Sequence, residues 1–428
     1  MKKLLVIGSV FALVSTSALA SQARLLALGM KETDNDGMYH ISDARNIFLN
    51  PAYVNIYNNY VTTEYGENGF NVGSSAVTLD RSTSPKAQGG FFTKQGDLVY
   101  GVYLGNESNT SSLLRAVGTS AAAVVNATGS KMLQSADNQI DLFIGGDTGI
   151  KWGANALVAF GKDDARKAKD SSIATRFGVI GSNWDAHLNL SLASKAEANE
   201  SVNLAAIGLG TQTISQEFKG KLGVQLGGSY VYSGNNRVFG YVKHYGWEQT
   251  DSFNAYPKTV LAGSNAGKTT GGQTGTSKGD FTSYYLGWGS HYDMNTSDKV
   301  FTSLAVRKTD VNVKFATKGE VRNLIVPVTL GYEAVATDWL TLRGSIIQNL
   351  YGQKDNKNLD GLNLGARSLI EQTYGTNGKG TIVNSTEVNA GATLTFGKLN
   401  LDGLVGAKAT GSLRTDDLLT KVAATYNF

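Results

Sequence analysis

The 428-residue sequence predicts an all-β fold, a transmembrane antiparallel β-barrel. Three observations point there: strict period-two alternation that recurs along the chain, many glycines beside few prolines, and no apolar stretch fit for a membrane helix after the first twenty residues.

The alternation comes first. Leu222, Val224, Leu226, Tyr230 and Tyr232 form one apolar row, with Gln225 and Ser229 between them. Trp184, Ala186, Leu188, Leu190 and Leu192 form another, separated by Asp185, His187, Asn189 and Ser191. Further rows are Val300, Leu304 and Val306; Val328, Leu330 and Tyr332; Leu340, Leu342 and Ile346; and Val388 through Phe396. Successive strand side chains point to opposite faces, so each row gives a segment one apolar and one polar face. Each run approaches the roughly nine to eleven residues that a tilted strand needs to cross a bilayer.

Composition agrees. Glycine occurs 51 times and proline 4 times. A closed sheet has no free edge, so a residue without an N–H is confined to loops and strand beginnings, whereas glycine permits the bends of closure. Pro51, Pro85 and Pro257 sit in loop-like contexts, and Pro327 fits a strand start. Charged residues are 17% of the chain, yet mean hydropathy is only −0.17, so apolar and polar residues are interleaved finely.

Lys2 and Lys3, the apolar run Leu4 to Val14 and the ending Ala18-Leu19-Ala20 have the layout of a cleaved secretory signal over residues 1–20. Leu113 to Val125 is the next longest candidate for a membrane helix, but Arg115, Gly118, Thr119 and Ser120 interrupt it. With no cysteine, neither lipid attachment through a thiol nor a disulfide is possible. Without Lys2 and Lys3 the 39 basic residues fall to 37 against 35 acidic ones, in no long run, which argues against nucleic acid as a partner.

Residues 161–172, 251–280 and 352–386 are polar and glycine-rich and read as long outer loops alternating with tight inner turns. Residues 107–138, which include the small-residue stretch Ala121 to Val125, read as a partly helical loop at the barrel mouth. This spacing allows about fourteen to eighteen strands over residues 53–428. At the far end Val422, Ala424, Tyr426 and Phe428 alternate with polar or small residues. Tyr426 and Phe428 resemble the C-terminal aromatic signature by which barrel-insertion machinery recognises outer-membrane barrels.

Residues 24–52 contain RLLALG followed by SDARNIFLNPA. Ala27, Leu28, Gly29, Asp43, Ala44, Phe48, Asn50, Pro51 and Ala52 resemble the start of the FadL-like family of outer-membrane transporters of hydrophobic compounds. The resemblance covers about thirty residues. Arg45 and Tyr53-Val54 depart from the usual Ser and Gly-Leu. It implies fourteen strands, with residues 21–52 as a plug or periplasmic segment. The bare residues say that Asn50-Pro51 is a helix-breaking turn, because proline biases its predecessor away from the α region.

Other motifs are set aside. Ala262, Gly267, Lys268 and Thr269 match a loose phosphate-loop pattern, but Thr270-Gly271-Gly272 cannot open the helix such a loop requires. Glu32, Asp34, Asp36, Gly37 and Asp43 fall at calcium-loop spacing with the wrong first and last ligands and no flanking helices. His40, His187, His244 and His291 have no metal spacing. Ser290 and His291 are neighbours in a strand and face opposite ways, so they cannot act as nucleophile and base. No catalytic constellation, cofactor or metal site is expected.

The phase opposite to the apolar rows sends Asp185, His187, Arg307, Arg343, Asp402 and Lys421 toward the lumen. Phe239, Tyr241, Lys243, Tyr245 and Trp247 share one face, which is open to two readings: a hydrophobic track if inward, an interfacial girdle with a snorkelling lysine if outward. The functional expectation is passive diffusion of small solutes or hydrophobic molecules across the outer membrane, with membrane lipid as a partner. A non-transporting structural, adhesive or secretion-associated barrel is the alternative. Oligomeric state is left open.

Overall fold

The computed structural model describes residues 21–30, 37–66, 86–106, 138–164, 167–203, 211–253, 273–295, 297–314, 318–358, 378–382, 386–404 and 421–428. Eighteen strand segments make one antiparallel sheet. They are β1 (Tyr60–Gly66), β2 (Lys86–Gln95), β3 (Leu98–Leu104), β4 (Asn138–Asp147), β5 (Lys151–Asp163), β6 (Ala168–Ile180) and β7 (Trp184–Asn203). There follow β8 (Thr211–Gly220), β9 (Gly223–Ser233), β10 (Asn236–Phe253), β11 (Gln273–Asp293), β12 (Lys299–Lys314) and β13 (Lys318–Thr337). The last are β14 (Leu340–Lys357), β15 (Gly378–Thr381), β16 (Thr386–Phe396), β17 (Leu399–Leu404) and β18 (Lys421–Asn427).

Both β8 and β9 lie between β7 and β10, so they form one wall strand in two pieces. Likewise β15 and β16 both pair with β14. β1 pairs with β2 on one side and β18 on the other, which closes the sheet. The barrel thus has sixteen wall strands, not the fourteen that the resemblance implies. That number came from thirty N-terminal residues, which say little about how many hairpins follow.

At one end the strands are joined tightly, by Gly96-Asp97, Gly234-Asn235, Asp338-Trp339 and Gly397-Lys398. Gly234 and Gly397 have φ of +54° and +61°, which glycine adopts without the cost a Cβ would bring. The longer connections at the opposite end, including residues 67–85, 254–272, 359–377 and 405–420, lie outside the described residues. So do residues 1–20, residues 107–137 and the phosphate-like motif at 262–269.

Three polar stretches expected to be loops are partly strand. Within 161–172, β5 runs to Asp163 and β6 begins at Ala168; β10 and β11 cut into 251–280, and β14 to β16 into 352–386. Their polarity is that of strands continuing past the apolar band, where the outward face carries charge. Pro327 is not a strand start but lies inside β13 at a register shift. Val326 pairs with Tyr351 and Pro327 with Asn349, so Leu350 is an extra residue in β14. Such a bulge tolerates the missing N–H.

The apolar rows face outward. Leu226, Tyr230, Leu304, Val306, Leu330, Leu342, Ile346 and Val388 are all exposed, while the intervening Gln225, Ser303, Thr329, Arg343, Ser345 and Asn389 are buried.

Candidate functional site

Residues 21–30 and 37–57 pack against inward-facing side chains of the wall. Ser21 caps helix α1 (Gln22–Ala27) by accepting from the Arg24 N–H, and every residue of α1 is buried. This helix packs against β14, β16, β17 and β18. Gly29, at φ +98°, turns the chain away close beside Thr329 and Ser345. Tyr39 and His40 stack on Phe239 of β10 with ring centroids 5.2 and 5.7 Å away. Asp43 then caps the 3-10 turn Ala44–Phe48, and Asn50 caps the next, Pro51–Asn55, each accepting from the N–H two residues on. The second turn reaches β3, β4, β5 and β6. Residues 21–30 and 37–57 therefore meet strands on several sides of the barrel.

Two wall glycines admit the Asn-Pro-Ala segment. A Cβ on Gly153 would overlap the Pro51 backbone, and one on Gly178 would overlap the Asn50 amide. Asn50 Nδ2 donates to the carbonyls of Val179 and Ala186 at 3.2 and 3.3 Å. Phe48 packs edge-on against Tyr103 and Phe143 at 4.9 and 5.7 Å, with the Arg45 guanidinium 4.6 Å from its ring. Ala44 and Ala52 are fully buried.

A chain of buried charges ties this segment to the wall. Arg24 donates to Asp43 at 2.7 Å and to Glu333 at 3.0 Å. Glu333 accepts from Arg343 at 2.5 Å, and Arg343 reaches Asp402 at 3.2 Å. Asp402 in turn accepts from the Ser21 hydroxyl at 2.8 Å and from Thr393. Charges so deeply buried persist only because each is paired and hydrogen-bonded. Burial pushes the Asp43 carboxyl up to about 6, against the opposing pull of Arg24 and the Arg45 N–H. Burial pushes half-buried His40 down to about 3, and Arg237 and His291 add to the effect.

The six residues assigned to the polar phase are all buried. Arg343 and Asp402 belong to the charge chain. Lys421 Nζ donates to Gln22 at 2.6 Å, and His187 Nε2 lies 3.4 Å from the Tyr39 hydroxyl. Asp185 accepts from Ser229 and lies 3.9 Å from Arg237. Arg307 stands apart from this group, its guanidinium 4.7 Å from the Tyr285 ring. Tyr426 and Phe428 are exposed; Phe428 stacks on Phe91 at 5.5 Å, and its N–H donates to Asn59 O where β1 and β18 meet. Sequence reasoning missed Arg24 and Glu333, the centre of the charge chain. It also missed Arg176, which is fully buried against Asp141 and Asn155 at 2.9 and 2.5 Å.

The aromatic row of β10 faces inward. Phe239, Lys243, Tyr245 and Trp247 are buried, whereas Val238 and Val242 in the opposite phase are exposed. Each ring lies over a glycine of a neighbouring strand: Phe239 over Gly287, Tyr245 over Gly223 and Trp247 over Gly279. Glycine there leaves room for the ring, and the ring covers the backbone that glycine leaves bare.

Toward the long-connection end the two faces exchange character. On β12 the outward series Leu304, Val306 is followed by Lys308, Asp310 and Asn312, while the inward series Ser303, Arg307, Thr309 gives way to Val311 and Val313. On β13 inward Val321 and Ile325 lie on the far side of the polar inward Thr329 and Glu333. Register aligns Tyr245, Phe281, Val311 and Val321 across β10 to β13 as one apolar layer. Lys243, Ser283, Thr309 and Asn323 form the polar layer beneath it. Over these four strands the interior is apolar at the level where the exterior is charged. Among the described residues no group of three His, Asp or Glu could hold a metal ion.

No family model matches the chain, and no curated protein matches it. Among solved structures, the chain is similar to a FadL homologue of Pseudomonas aeruginosa at 12% identity, covering 94% of this chain and 98% of that one with a TM-score of 0.43. It is similar to CymD, a monoaromatic hydrocarbon channel, at 11% identity, covering 96% and 98% with a TM-score of 0.42. It is also similar to the toluene transporter TbuX of Ralstonia pickettii at 11% identity, covering 97% and 100% with a TM-score of 0.38.

Proposed function

We propose that the chain is an outer-membrane channel for passive diffusion of small hydrophobic molecules, its lumen plugged by the N-terminal segment. The outward apolar face is one that lipid would cover, and a closed barrel leaves no unpaired edge in lipid. A cleaved signal over residues 1–20 would bring the chain to that membrane, and the Tyr426 and Phe428 strand would engage the insertion machinery.

The inward-facing Tyr245 and Trp247 support the choice of solute, because these rings are near the level where the outer face carries the Glu248–Lys278 ion pair. A pore for ions would place polar groups there instead. The contacts of residues 21–30 and 37–57 with strands on several sides of the barrel support the plug reading. Nothing in the reading calls for catalysis.

Purified protein reconstituted in planar bilayers and vesicles tests it, with and without residues 24–52. The full chain should pass apolar aromatics or fatty acids and little salt, and the truncated form should gain conductance while keeping the heat-resistant mobility of a folded barrel. No passage by either form would leave the non-transporting alternative. Passage of salt and sugars alone would replace the hydrophobic channel by a general pore.

A further inference from the structure

Outside the barrel, at the upper edge of its apolar band, the charges have an order. On β12 the outward series passes from Val306 to Lys308 and then Asp310; on β13, read from the band outward, it passes from Leu324 to Arg322 and then Glu320. On β7 Lys195 follows the exposed Leu192 and Ala193 and precedes Glu197. On each strand a cation adjoins the apolar band and an acid stands one outward position farther out.

The pair β7 and β8 adds a second feature. Lys195 lies directly across from Lys219, and Glu197 directly across from Glu217. Like charges directly opposite destabilise a sheet. Ion pairs relieve part of this: Lys195 pairs with Glu197 along β7 and diagonally with Glu217 at 3.3 Å, and Lys219 pairs with Glu217 along β8 at 3.0 Å. Both lysine side chains nonetheless remain about half exposed, at 48% and 58%. Exposed ion pairs are weak, about 0–1 kcal/mol, so a stronger anion can displace them.

We propose that Lys195 and Lys219 form a clamp for the phosphate of a membrane lipid, with Lys308 and Arg322 offering further contacts of the same kind on β12 and β13. This rests on the membrane reading above. A lipid phosphate lies at the edge of the hydrocarbon, the level at which these cations stand, and it bears several strong acceptor oxygens for two ammonium groups. The acids farther out leave the clamp open toward lipid and make free polyanions in bulk water poorer competitors.

The test uses the full chain folded in micelles and exposed to mixed phosphatidic acid and phosphatidylcholine, with retained lipids counted by native mass spectrometry. Wild type should retain phosphatidic acid at least several-fold over phosphatidylcholine, and Lys195→Gln with Lys219→Gln should remove most of that preference. Glu197→Gln with Glu217→Gln should keep or raise it, because the competing carboxylates are gone. Equal retention of both lipids by wild type would overturn the clamp, as would unchanged preference in the lysine variant. Loss of preference in the glutamate variant would show that the charges serve only one another. Insertion of each variant into neutral phosphatidylcholine vesicles is scored separately, so a failure of the membrane reading shows there and not as lost lipid preference.

Discussion

Arg24 and Asp43 meet at 2.7 Å inside the barrel, and the same guanidinium reaches Glu333 on the wall at 3.0 Å. One side chain thus fastens two parts of the N-terminal segment to each other and to β13. Removing one member of a buried pair strands the others, at about 3–5 kcal/mol. Arg24→Met should therefore loosen the segment by that order, seen as raised conductance and faster proteolysis near residue 30. Barrel mobility on unheated gels should not change. Adding Asp43→Asn and Glu333→Gln should restore part of the closure, since no carboxylate is then left alone.

Acidification pulls the segment two ways. His40 in the docked segment titrates near 3, below its ordinary 6.5, so the released state binds more protons between those values and docking weakens as pH falls through that window. Asp43 titrates near 6 instead of 3.8, so the docked state binds more protons and docking strengthens as pH falls from 6 to 3.8. Each slope is at most about 1.4 kcal/mol per pH unit, less for His40 because it is only half-buried. Wild-type conductance should change little between pH 6 and 4. Asp43→Asn should open on acidification and His40→Gln should close; slopes of the same sign in both variants would contradict the assignment.

The wall glycines give a test that leaves the charges untouched. A Cβ at Gly178 would overlap the Asn50 amide, and a larger side chain also takes the space of Pro51. Gly178→Val should push Asn50-Pro51 out of its notch and break the Asn50 bonds to Val179 and Ala186. At about 1 kcal/mol per lost bond plus the overlap, the released population should rise roughly tenfold or more. Gly234→Ala, in a turn with nothing within 4 Å of the added Cβ, is the control and should leave conductance unchanged despite its strained φ.

The barrel was legible in the sequence because one physical rule, apolar and polar side chains on alternate faces of a strand, repeats in Trp184 to Leu192, Val300 to Val306 and Val388 to Phe396. What joins distant parts of the chain was not. Arg24 and Glu333 are 309 positions apart, and nothing local marks either as the partner of the other. The facing of Phe239 to Trp247 was undecidable for a related reason. Aromatic residues suit both a lipid interface and a lumen, and the deciding feature is a glycine on another strand. The polar strand ends of β5, β6 and β10 read as loops because lysine and aspartate replace leucine there, although period two continues.

Trp247 provides the sharpest test of the proposed passage of apolar solute. Its ring is fully buried over Gly279, beside the apolar layer of Tyr245, Phe281, Val311 and Val321. It lies on the inner face at the level where Glu248 and Lys278 form an exposed ion pair on the outer one. Fully burying a large apolar side chain is worth about 1.5–3 kcal/mol, so Trp247→Ala with Phe281→Ala should weaken capture of an apolar aromatic roughly ten- to a hundredfold. Salt conductance of the form lacking residues 24–52 should change little, because that form already lacks the proposed plug. The measurement is vesicle uptake of a fluorescent apolar aromatic against its concentration: half-saturation should shift upward while the limiting rate holds. A fall in limiting rate at constant half-saturation would move the binding step away from this layer, toward the charged floor around Arg24 and Arg343.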